Sequence, residues 1–171
     1  MDAYDPDTLP IGVFGRPHGV TGEIAFRPHD THSQALDRVR RVTVVRDGRR
    51  QEYDIASARP VNGGYLVRLA GIADRDAVAA LTLAEVRVPR AVLPALAPGE
   101  YYVEDVVGCE AEDQAGRSLG VARGTFWNGA HDVATIVDSD GRERMVPLVP
   151  DFVVAVDGPG RKMRVRWDGD E

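Results

Sequence analysis

The sequence predicts an all-β chain: two small β-barrels joined by a Pro-rich linker, with one short helix in the first domain. Three observations predict it. Asn-Gly and Asp-Gly pairs separate short apolar runs, the runs alternate polar and apolar residues, and prolines cluster between 89 and 98. Asn-Gly and Asp-Gly supply the positive φ angles of tight hairpins. Alternation is the period of a half-buried strand. Barrels are the natural closure for short meandering sheets, because closure removes exposed edges.

Taken in order, a glycine-rich segment at 11–23 leads into a strand at 23–26. A short helical turn is read around 33–39. Asp47-Gly48 lies between strands at 42–46 and 51–56, and Asn62-Gly63 precedes a strand at 65–69. The helix falls at 74–81, where Asp74 can cap the N-terminus and Ala77, Val78 and Leu81 form an apolar stripe. Two turns suffice to cover a barrel end. Pro89, Pro94 and Pro98 remove backbone donors, and Gly99 ends the segment. This places domain one at 8–90, a stiff connector at 91–99 and domain two at 100–168, with loose ends at 1–8 and 169–171.

In the second domain Glu100-Tyr101-Tyr102 opens a strand, so the two rings point to opposite faces. One packs inward and the other faces the linker, the first domain or a partner. Asp140-Gly141 lies between strands at 133–137 and 144–148. Asp157-Gly158-Pro159-Gly160 separates 152–156 from 162–167. Met163, Val165 and Trp167 share one face of that last strand, with Lys162, Arg164 and Arg166 opposite.

Composition narrows the function. Hydrophobic residues at 43% and charged residues at 28% are ordinary for a globular chain. No apolar run approaches the roughly 18 residues of a membrane helix, and the acidic N-terminal stretch is the reverse of a secretory signal. Cys109, the single cysteine, allows no internal disulfide. These features point to the cytoplasm. The net charge of −6 argues against affinity that comes mainly from wrapping a nucleic-acid backbone. Residues 1–97 carry 13 arginines against 12 acids, whereas 98–171 carry 8 Arg plus Lys against 15 acids. The first half is therefore near neutral and the second strongly acidic, which suits a basic protein partner.

Four glycines (Gly12, Gly15, Gly19, Gly22) surround Arg16, His18 and Glu23. A phosphate cradle lacks its Gly-Lys-Ser/Thr and the helix that should follow. A His18/Glu23 acid–base pair is a second reading, and a tight hairpin with left-handed glycines is the structural one. His29 and His32 flank Asp30, too few ligands to argue a metal. His131 belongs to a turn before a strand. Cys109 reads as a small buried hydrophobe. Arg38, Arg40, Arg41, Arg46, Arg49 and Arg50 form the densest basic stretch; Arg40, Arg41, Arg49 and Arg50 are the candidate RNA contacts. The Lys162/Arg164/Arg166 face is a second, weaker phosphate candidate. Nothing in the sequence requires a cofactor or a metal.

These segments carry a resemblance. Gly-Arg-Pro-His-Gly-x-x-Gly-Glu at 15–23 resembles the opening motif of the RimM family. Glu-Tyr-Tyr-x-x-Asp-x-x-Gly at 100–108 resembles the paired-tyrosine start of that family's C-terminal PRC-barrel domain. The segments 116–121, 129–133 and 146–153, then Val156-Asp157, follow in the family's order, although His131 stands where an amide or small residue is common. The resemblance implies two β-barrels and a non-enzymatic role in assembly of the small (30S) ribosomal subunit. It further implies binding to small-subunit ribosomal protein nineteen in the head, to immature 30S particles and to 16S rRNA processing intermediates. Partner contact falls to Tyr101 and Tyr102, with Arg16, His18 and Glu23 as further candidates, in a chain expected to be a monomer. The competing expectations are an enzyme using His18 and Glu23, and a PRC-type structural module of an electron-transfer complex.

Overall fold

The structure, a computed structural model, describes residues 5–30 and 35–169. It is all-β with a few very short helices, and it divides into two compact units, Met1–Pro94 and Ala95–Glu171.

The first unit is a closed barrel of six antiparallel strands: β1 (Thr8–His18), β2 (Glu23–Pro28), β3 (Arg41–Arg46), β4 (Arg49–Val61), β5 (Gly64–Leu69) and β6 (Glu85–Pro89). Their order around the barrel is β1-β2-β5-β4-β3-β6. Closure comes from β1 pairing with β6, Leu9 opposite Val88 and Gly12 opposite Val86. Alternation delivers the core: Phe14, Ile24, Phe26, Val42, Val44, Val67, Leu69, Val86 and Val88 are all buried inside. Phe14 and Phe26 meet edge to face, centroids 6.2 Å apart at 76°, an arrangement worth about 0.5–1.5 kcal/mol beyond the area it buries. Gly12 is a glycine because the strands come too close for anything larger. A methyl group there would sit 2.3 Å from the Arg27 carbonyl oxygen.

Turns follow their chemistry. Asp47 and Gly48 take φ of 50° and 72°, the two left-handed residues of a tight hairpin between Arg46 and Arg49. The helix is shorter than its sequence pattern: α2 (Arg75–Ala79) follows a helical turn, α1 (Ala35–Arg38). Asp74 caps α2 by accepting from the Ala77 N–H at 2.7 Å, a contact worth about 1 kcal/mol. Val78 is fully buried in the barrel core and Leu81 packs beside it, whereas Ala77 is exposed. Residues 33 and 34 of the other expected turn lie outside the described residues, as does His32.

Asp5 ties the segment before β1 to β4. Thr8 Oγ1 donates to it at 2.7 Å, and Arg50 and the Asp7 N–H donate as well. These donors, the Thr8 hydroxyl foremost, hold its carboxyl at about 2. A carboxylate stabilised in the folded state contributes stability above its ordinary pKa of roughly 4, and loses it as pH falls toward the folded value. Amide protection around Thr8 and Arg50 is therefore expected to hold at pH 5 and to fall between pH of about 4 and 2. Titration of Asp5 at an ordinary carboxylate value, followed by NMR, would refute this tether.

The second unit contains α3 (Val103–Val106), β7 (Glu110–Glu112), β8 (Ser118–Trp127), β9 (Asp132–Val137), β10 (Glu143–Pro147), β11 (Val153–Asp157) and β12 (Lys162–Val165). The strands form one six-stranded sheet in the order β10-β9-β8-β7-β12-β11. All neighbours are antiparallel except β7 and β12, which run parallel. The sheet encloses Val106, Cys109, Ala111, Leu119, Ala122, Ala134, Ile136, Val146, Met163 and Val165, with Trp167 packed at the margin. Burial pushes the Cys109 thiol up to about 11, so it is an inert core group and not a nucleophile. Its Sγ donates to the Asp105 carbonyl at 3.1 Å.

Candidate partner-binding surfaces

The tyrosine pair does not open a strand, contrary to the sequence expectation. Gly99, at φ +85°, turns the chain, and the Glu100 carboxylate accepts from the Ala97 N–H at 3.0 Å. Tyr102 then stands at the N-cap of α3, its carbonyl accepting from the Asp105 N–H at 3.0 Å. A helix of four residues is too short to show a period in sequence, so the local pattern does not distinguish it from a strand. The rest of the motif serves this turn. Asp105 is buried against Gly158, where a methyl group would lie 2.4 Å from its Cγ. Gly108 ends the segment at φ +91°, and its carbonyl accepts from Arg161 Nη2 at 3.0 Å.

Both tyrosines are half-buried. Tyr101 packs against the core of the second unit, and burial, then the charge of Asp132, raises its phenol above the usual value. With Leu96, Gly99 and Glu100 they form one wall of a groove of about 560 Å³; Pro150, Val153, Val154 and Arg166 form the other. Arg166 is anchored there, donating to the carbonyls of Pro150 at 2.7 Å and Asp151 at 3.0 Å. Arg164 pairs with Glu112. The basic face of β12 is thus largely spent on internal contacts. What remains is a cleft with aromatic and aliphatic walls and a few polar tips, the composition of a protein-contact core. Val154 and Arg166 carry no mark of this in the sequence, because they reach the tyrosines only through the folding of the β11–β12 hairpin.

In the first unit the glycine-rich segment is a β-hairpin, β1 turning into β2 with Gly19 and Gly22 at φ of 64° and 80°. Arg16 and His18 are exposed on it. His18 lies opposite Glu23, but the Glu23 carboxylate is held by Arg59, Nε to Oε1 at 3.2 Å and Nη2 to Oε2 at 3.4 Å. Arg59 first, with His18 and Arg68, lowers the Glu23 carboxyl below its usual range. A carboxylate kept ionised this way is a poor general acid.

Of the four candidate RNA contacts, Arg41 pairs with Asp54 at 2.8 Å and Glu52 at 3.8 Å, and Arg50 pairs with Asp5. Arg40 and Arg49 are exposed with no ion pair among the described residues. Arg46 donates to the carbonyls of Ala80 and Thr82 beyond α2, a structural use. Asn128 Oδ1 accepts from the N–H groups of Ala130 and His131, so His131 sits in the turn its sequence suggested. Among the described residues no three His, Cys, Asp or Glu side chains gather as metal ligands would, and no helix is long and apolar enough to cross a membrane.

Comparison with known proteins accounts for both units. Residues 9–93 match the RimM N-terminal domain and residues 103–170 the RimM PRC barrel domain. The chain is 34% identical to the ribosome maturation factor RimM of Ectopseudomonas mendocina, covering 98% of this chain and 97% of that protein. It is 30% identical to the RimM of Cupriavidus metallidurans, covering 97% and 83%. A crystal structure of a 16S ribosomal RNA processing protein RimM from Pseudomonas aeruginosa aligns over 95% of this chain and 98% of that one, at 29% identity and a TM-score of 0.48. Two domain matches in the family's own order, carried by identity along nearly the whole of both chains, make this protein a member of the RimM family of ribosome maturation factors.

Proposed function

We propose that this protein is a cytoplasmic, monomeric assembly factor that binds a basic head-region protein of the immature 30S subunit, ribosomal protein nineteen, and so supports 16S rRNA processing and head maturation. Membership of the RimM family places its role in small-subunit maturation, as an assembly factor without catalysis. The observation that carries the finer reading is the Tyr101/Tyr102 groove in the acidic unit. Its two tyrosines offer an aromatic side for an anchoring contact, and the surplus of acids steers a cationic polypeptide toward it. Domain one, 8–90, carries the second contact: Arg40 and Arg49 toward rRNA, with Arg16 and His18 on the neighbouring hairpin. Residues 91–99 connect it to domain two, 100–168.

The enzyme reading loses its base to Arg59. The electron-transfer reading has no feature in its favour, since the second unit matches the PRC barrel of RimM specifically. Affinity purification of the tagged chain from growing cells is expected to recover immature 30S particles carrying unprocessed 16S rRNA. Recovery of no ribosomal component would end the proposal.

A further inference from the structure

Strand pairing brings together arginines that lie far apart in sequence. In one row across the barrel's outer surface, His18 of β1 faces Glu23 of β2, which faces Arg68 of β5. In the next row Ala25 faces Leu66, which faces Arg59 of β4. Arg27 follows two residues beyond Ala25 on β2, on the same side. The inner side is the one that holds Ile24, Phe26, Val67 and Leu69, so these rows point outward. Adjacent strands lie about 4.8 Å apart and same-face residues roughly 6.6 Å apart along a strand, so the guanidinium groups fall in one strip a few phosphates long.

The strip has the chemistry of a backbone reader. Its only acid, Glu23, is neutralised by Arg59. The side chains of Arg27 and Arg68 are exposed and make no hydrogen bond or close ion pair among the described residues, although the charge of Arg68 helps to lower the Glu23 carboxyl. The Arg27 side chain lies across Gly15, where a methyl group would touch its Nε and Nη2 at 3.4 Å, so the glycine leaves the guanidinium room to lie on the sheet. The outward residues between the arginines are Ala25, Ser57 and the buried Leu66; the exposed aliphatic side chains, Val61 two residues beyond Arg59 on β4 and Val20 on the β1–β2 turn, flank them. Exposed guanidinium groups with no aromatic ring between them suit phosphate oxygens, which they bind through two donors at once.

We propose that the outer face of β2, β5 and β4 is a phosphate-binding strip that docks on the sugar–phosphate backbone of ribosomal RNA, with Arg27 and Arg68 as its direct contacts. The strip is a separate surface from the β3–β4 arginines, and the proposal rests on the small-subunit reading above. Each phosphate contact releases counterions and steepens the salt dependence of binding by roughly one unit.

The test is fluorescence anisotropy of the full chain against a labelled transcript of the 16S rRNA head domain, over a series of salt concentrations. Arg27→Gln with Arg68→Gln is expected to weaken binding about ten-fold near 0.15 M salt and to lower the slope of log affinity against log salt by about 1–2. Glu23→Gln releases Arg59 and removes the strip's only negative charge, so it is expected to tighten binding and steepen the slope; misfolding would not produce that gain. No binding of the transcript by the native chain, an unchanged slope in the double variant, or weaker binding by Glu23→Gln would each overturn the strip. Cosedimentation with immature 30S particles separates the two readings. Particles bound with the slope unchanged would discard the strip alone, whereas loss of both particle and transcript binding would discard the small-subunit reading itself.

Discussion

Replacing Tyr101 and Tyr102 together by alanine is expected to lower the affinity for immature 30S particles by at least about 30-fold, or about 2 kcal/mol, the threshold for a residue that dominates an interface. The rings supply most of the aromatic surface in the groove opposite Val153 and Val154, and truncation leaves those partners facing water. The two positions differ in their second role. Tyr101 also packs on the core of the second unit, while Tyr102 caps α3 through its backbone carbonyl, which alanine retains. Tyr102→Ala alone should therefore lose binding with little change in melting temperature, and Tyr101→Phe should keep the packing while removing the hydroxyl. Cosedimentation of each variant with immature particles, beside its thermal melt, reads both effects. A folded double variant that sediments with the particles as the native chain does would remove the groove from the contact.

Phe14→Ala is expected to destabilise the barrel by about 3–5 kcal/mol, the usual cost of removing a buried phenylalanine. Phe14 is 1% exposed and makes the edge-to-face contact with Phe26. It also anchors the closure, because its N–H donates to the Ala84 carbonyl and its carbonyl accepts from the Leu83 N–H, holding β1 beside the segment that leads into β6. Small domains have only about 5–15 kcal/mol in total, so the loss takes a large share of the barrel's stability and should raise its opening by about two to three orders of magnitude. Hydrogen exchange of amides in β1, β2 and β6 measures this directly. Protection factors within ten-fold of the native chain would show that the core repacks around the loss.

Much of this architecture is legible in the sequence, and the exceptions share a cause. Asp47-Gly48 reads as a hairpin and forms one, since both residues accept left-handed φ at small cost and the flanking strands are long enough to hold register. The 157–160 turn carries the same chemistry, yet there Arg161 takes the positive φ of 55°, while Gly158 and Gly160 make room for the side chains of Asp105 and Asp157. A turn signal marks where the chain reverses; the packing around it decides which residue bends. The arginine strip shows the same limit at longer range. Arg27, Arg59 and Arg68 belong to three strands and become neighbours only through pairings that no local pattern encodes. The tyrosine pair was visible as a motif, but the wall opposite it comes from residues about fifty positions later.

The parallel pairing of β7 with β12 sets an order of events during synthesis. A parallel neighbour requires a long crossover, and here the strand at 110–112 must wait for the one at 162–165. The barrel has all six of its strands once Pro89 is made. The later sheet stays split between β7 and β12 for about fifty residues more, roughly 3–10 s at translation rates of about 5–20 residues per second. In that interval β7 exposes an unpaired border to the crowded tunnel exit, while β8 is covered on its other side once β9 is made. Slow codons within 113–161 should therefore prolong a sticky nascent state of the second unit, while slow codons before Pro89 should not.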